Sequence, residues 1–167
     1  MHDPLDTLCK VFEEELERQE NVLRLCALQE QAVLARDTAA LNARTEALNL
    51  LLRETALAEP ARIEAAQAAI DALQLPEDAH TLSGVIAAAP APVRGRLARL
   101  QADLQRVITE ASLIVRRNNR VLRRLLSKTN NTIAVLSGVP EAAGGYTTAG
   151  RREAASLSHV ALINQAG

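Results

Sequence analysis

Aromatic side chains are nearly absent from this 167-residue chain: Phe12 and Tyr146 are the whole set, and there is no tryptophan. That scarcity excludes a core built on ring packing and a surface that stacks bases. Cysteine is scarce as well. Cys9 and Cys26 stand seventeen positions apart on one expected helix, roughly 25 Å along its axis, so they cannot bridge each other there and read as packing residues in a reducing compartment. No run of eighteen apolar residues occurs, and the N-terminus shows no basic region leading into an apolar one, so the expectation is a soluble, cytoplasmic protein without membrane insertion. The formal net charge of -1 leaves no whole-molecule field for a polyanion. His2, His80 and His159 lie far apart in the sequence, and H-x-x-x-H, C-x-x-C and glycine-rich phosphate loops are missing. The reading is therefore a non-enzyme with no metal and no cofactor.

What remains is Ala, Leu, Glu, Gln and Arg, the composition of long helices that pack through aliphatic stripes. Residues 4 to 35 carry Leu5, Leu8, Phe12, Leu16, Leu23 and Cys26 at steps of three, four or seven, beside a glutamate run, Glu13 to Glu15, expected to face solvent. Asp37 offers an N-cap to a second helix expected over 37 to 75, with Leu41, Leu48, Leu52 and Thr55 on its stripe and Ile63, Ala66, Ile70 and Leu73 resuming it beyond Pro60. Pro60 either kinks this helix or starts a new one. Three prolines between Pro76 and Pro92 mark a connector. The last helix, expected over 93 to 137 and roughly 67 Å long, follows alternating steps of three and four from Leu97 to Val135. The fold class is all-α: an antiparallel, coiled-coil-like bundle over 1 to 138, then a flexible C-terminal tail over 139 to 167.

The chemistry-bearing candidates concentrate on the last helix. Arg116, Arg117, Arg120, Arg123 and Arg124 cluster opposite its apolar face, but with no aromatic neighbour and an acidic first helix in the same molecule they predict no nucleic acid partner. Asn118 sits on the core stripe, where a lone polar group fixes register. After residue 112, Val115, Leu122, Leu126, Ile133 and Leu136 widen the apolar arc to roughly 160° at 100° per residue, more than a two-helix seam requires. Either a neighbouring helix of the same chain or an amphipathic helix of another protein covers the excess. The stretch "AHTLSGVIAAAP" (79 to 90) resembles a histidine phosphotransfer motif, which makes His80 the centre of an alternative function. Ser83 replaces the lysine of that motif, and Pro76 and Pro90 confine the segment.

Taken together, "ARDTAALNARTEALNLLLRE", "TLSGVIAAAP", "RNNRVLRRLLSKTNNTIAVLSG" and the tail "GGYTTAG" resemble the FlgN-type flagellar export chaperones. The resemblance implies a cytoplasmic helical chaperone that binds the C-terminal helical segments of the hook-filament junction proteins, FlgK and FlgL, and delivers them to the export-gate protein FlhA. On that basis the client-binding candidates are Val115, Asn118, Asn119, Leu122, Leu126, Thr129, Ile133 and Leu136. Tyr146, in the place of that family's Tyr-and-Gly motif, is the candidate for docking to the gate.

Overall fold

A computed structural model describes the backbone of residues 3–137 and the side chains of residues 3–128. Helix α1 spans Pro4–Ala35, α2 Thr38–Leu73, α3 Leu82–Ala88 and α4 Ala91–Ser137. Among the described residues there is no strand. The expected tail, residues 139 to 167, lies outside the described residues.

The helix ends follow from local chemistry. Asp3 caps α1, its carboxylate accepting from the Leu5 amide at 3.0 Å, and Pro4 occupies the first turn, where a missing N–H costs nothing. Arg36 takes a left-handed conformation (φ 55°) to end α1, and Asp37 caps α2 by accepting from the Ala40 amide at 2.9 Å. Two residues thus reverse the chain, so α1 and α2 form an antiparallel hairpin. Helix α2 continues through Pro60. Pro60 and Ala56 are both exposed, so water can satisfy the Ala56 carbonyl that the proline leaves without a donor.

The connector is more structured than its prolines suggest. A 3-10 turn over Glu77–Ala79 leads to Thr81, whose hydroxyl accepts from the Gly84 amide at 3.0 Å and starts α3. A Cβ at Gly84 would stand 2.1 Å from the Ala79 carbonyl oxygen, so glycine is what lets the turn close on the helix. Val85 and Ala89 are fully buried where α3 closes the lower end of the bundle. The Arg94 guanidinium donates twice to the Ala89 carbonyl, at 3.0 and 3.2 Å, at the entry to α4.

Helix α1 is the central element, packed against α2 on one side and α4 on the other. Pairs along the seams give the directions. Arg62 of α2 meets Glu15 and Thr45 meets Gln29, antiparallel to α1. Arg96 meets Asp6 and Glu13 whereas Arg117 meets Glu30, so α4 runs parallel to α1. The lower core contains Leu5, Leu8, Cys9, Phe12, Ala65, Ala69, Ile70, Val85, Leu97, Leu100 and Leu104. Each large aliphatic among them contributes about 1.5–3 kcal/mol by burial. A second cluster around Val22, Cys26 and Ala111 continues it upward, with Leu48, Leu51, Leu52, Ile114 and Val115 packed around it.

Two expectations are corrected. Glu15 is buried, not solvated: it lies on the seam between Phe12 and Gln19, where it bonds Gln19 at 2.7 Å and Arg18 at 3.1 Å and faces the buried Arg62. Ile63 is 59% exposed. The buried face of α2 instead passes through Thr55, Arg62 and Ala69 at seven-residue steps, together with Ala65, and Ile63, one residue after Arg62, lies about 100° around the helix from that line.

Candidate functional site

Helix α4 outruns its partners. Arg117 is level with Glu30, five residues from the end of α1, so α4 passes the top of α1 near residue 122 and continues to Ser137. The remainder is about 15 residues, or roughly 22 Å, of helix beyond the α1–α2 hairpin.

A polar layer fixes the height at which this projection begins. The Asn118 side-chain amide is buried and donates to the Cys26 carbonyl and to the Gln29 side-chain oxygen, both at 3.4 Å. Gln29 in turn donates to the Thr45 hydroxyl at 2.9 Å, and Thr45 donates to the Leu41 carbonyl of its own helix at 2.8 Å. The three long helices are therefore held in register through a single chain of hydrogen bonds. Asn118 acts from inside the seam and presents no surface of its own.

The other candidates fall on both sides of this layer. Val115 is half-buried against the upper cluster. Asn119 is exposed, Leu122 is half-buried, and Leu126 is 62% exposed. Thr129, Ile133 and Leu136 belong to α4, but their side chains lie outside the described residues, as does Tyr146 entirely. Sequence reasoning missed a second apolar surface, Leu50 and Leu57 on α2, 61% and 81% exposed. The signal was a seven-residue step within "LNLLLRETAL", overlooked because the adjacent stripe satisfied the helix.

Electrostatics divide the arginines of α4 into two groups. Arg96 clamps Glu13 with two bonds, at 2.7 and 2.8 Å, and reaches Asp6 at 2.9 Å. Arg117 clamps Glu30 at 2.8 and 3.3 Å. These bonds hold the Glu13 and Glu30 carboxyls below their ordinary range, and the bond from Lys10 followed by that from Arg96 does the same for Asp6. By contrast, Arg116, Arg120, Arg123 and Arg124 have no acidic partner among the described residues. With Asn119 they line a shallow, open depression of about 400 Å³.

His80 sits on the connector at the end of the 3-10 turn, with a ring nitrogen 3.0 Å from the Leu75 carbonyl. A phosphotransfer histidine has to project from the middle of a bundle helix, which this geometry does not provide. Among the described residues no His, Cys, Asp and Glu cluster is arranged to hold a metal, and no helix is long and apolar enough to cross a membrane.

No curated protein and no solved structure matches the chain. The sequence profile of one family, described as FlgN protein, matches residues 1–154. That span takes in the hairpin, the connector, all of α4 and the segment that contains Tyr146. The chain belongs to the FlgN family and is a flagellar export chaperone.

Proposed function

We propose that this chaperone acts in the cytoplasm, binding the C-terminal helical segments of the junction proteins FlgK and FlgL along the projecting part of α4. Leu122 and Leu126 begin the contact, and Thr129, Ile133 and Leu136 continue it at helical spacing. The observation that supports this reading most is the projection itself: an apolar arc carried past the end of the hairpin, with Leu126 62% exposed at its base. A client helix laid there is shielded from self-association without entering the core of the chaperone. Such a surface gives moderate, reversible burial, which suits a complex that must come apart at the export gate. Tyr146 is the proposed anchor to FlhA.

The test is a titration of a FlgK C-terminal peptide into the parent chain and the Leu126→Asp variant. Because Leu126 is mostly exposed, the variant should lose little stability, about 1 kcal/mol, and should lose peptide binding. Unfolding of the variant would make Leu126 ordinary core. Undiminished peptide affinity would remove it from the client surface.

A further inference from the structure

The seam between α1 and α4 repeats every seven residues. Its core positions on α4 are Leu97, Leu104, Ala111 and Asn118, all buried, and Leu125 follows in the same register. The residue just before each of these lies on one flank of the seam: Arg96, Asp103, Glu110, Arg117 and Arg124. On this flank both Arg96 and Arg117 grip a carboxylate of α1 through two bonds each, to Glu13 and Glu30. Asp103 and Glu110 are occupied instead by Arg106 of their own helix. Arg124 stands one heptad beyond Arg117 in the same position, but α1 has ended at Ala35, and Asp37, one heptad beyond Glu30, uses its carboxylate to cap α2 and forms no ion pair with Arg124.

We propose that the helix docking on the projecting part of α4 continues the track of α1 and carries a carboxylate on its flank, which Arg124 clamps as Arg117 clamps Glu30. The inference rests on the proposed function and names the chemistry of the ligand: an amphipathic helix with an apolar seam and an acidic edge. Two features point to such a helix. The apolar residues Leu122 and Leu126 lie across the seam from Arg124, so a docking helix would have an apolar contact on one side and a cationic one on the other. A paired planar guanidinium also selects a carboxylate at defined geometry, which a diffuse basic patch does not. An anionic lipid surface fits less well, because the acidic flank of α1, including Glu17 and Glu20, stands in the same molecule and the net charge is -1.

The experiment compares two forms of the FlgK C-terminal helical peptide, native and with every Asp and Glu replaced by the corresponding amide, against the full chain and its Arg124→Gln variant. Fluorescence anisotropy at low salt should show the native peptide binding the parent about fivefold more tightly than the neutral peptide. The difference should vanish on Arg124→Gln, and also in high salt. Arg99→Gln, which alters an exposed arginine low on α4, should preserve it. If both peptides bind parent and Arg124→Gln alike, while Leu126→Asp still abolishes binding, the client surface stands and the acidic edge is refuted. If neither peptide binds the parent, the proposed function and this inference fall together. If Arg124→Gln spares peptide binding but lowers binding to phosphatidylglycerol vesicles, the arginines serve a lipid surface and the clamp is overturned.

Discussion

The buried ionic layer between α1 and α2 makes an asymmetric prediction. Glu15, 3% exposed, accepts from Arg18 at 3.1 Å and Gln19 at 2.7 Å, whereas Arg62, 7% exposed, approaches it only to 3.7 Å and has Glu59 as its other carboxylate. Arg62→Leu removes a buried charge while Glu15 keeps two donors, so the change in stability should stay within about 1 kcal/mol. Glu15→Leu leaves Arg62 buried with a single, more exposed partner and the Gln19 amide with no acceptor. These losses together should cost about 3 kcal/mol. For a chain of this size that is a fall of about 10 °C in melting temperature. The double variant should recover most of the loss, because the charge that Glu15 compensated has gone, and the remaining deficit of about 1 kcal/mol belongs to Gln19. Urea unfolding followed by far-ultraviolet circular dichroism gives all three values. Equal costs for the two single variants, or a double variant no better than Glu15→Leu, would refute the reasoning.

The carboxyls of Asp6, Glu13 and Glu30 are held below their ordinary values of 3.8, 4.5 and 4.5 in the folded chain. Their contribution is complete above the unfolded values and is lost as the pH falls through the lower folded ones. Melting temperature should therefore decline below about pH 4, and Arg96→Gln should flatten that decline; identical slopes would dismiss the clamp as a source of acid sensitivity. Burial pushes the Cys26 thiol up to about 11 and raises that of Cys9, so neither should react readily with maleimide in mildly alkaline buffer until urea is added. Prompt labelling of the native chain would contradict the packing at both sites. Tyr146→Ala should leave helicity and FlgK-peptide affinity intact while weakening binding of the loaded chaperone to the cytoplasmic domain of FlhA; a variant that binds the domain as tightly as the parent ends that role for Tyr146.

Helix limits were legible because they are local. Asp3-Pro4 and Asp37 act through bonds within one turn, and the expected starts agree with Pro4 and Thr38 to within a residue. The α4 stripe from Leu97 to Asn118 was legible for the same reason, since a single period decides which side is buried. Glu15 and Arg62 were not, because a charged residue on a seam differs from one on a solvated face only through the helix that packs against it. At the candidate site, the wide apolar arc near Leu122 and Leu126 could be read from spacing. That it projects past the hairpin could not, because this depends on the height at which α3 returns the chain, and so on α4 running parallel to α1.

That parallel return has a kinetic consequence. Gln29 and Thr45, which join α1 to α2, are 16 residues apart, whereas Asn118 and Gln29, which join α4 to α1, are 89 apart. The hairpin closes a short loop and the second seam a long one, so α4 docks at the greater entropic cost. During synthesis the hairpin emerges before α4, and the second face of α1 stays uncovered until α4 arrives. A refolding experiment with probes in each seam should find the α1–α2 contact forming no later than the α1–α4 contact. The residues proposed to hold a client would then be the last part of the described chain to find their place, after the scaffold that carries them is already built.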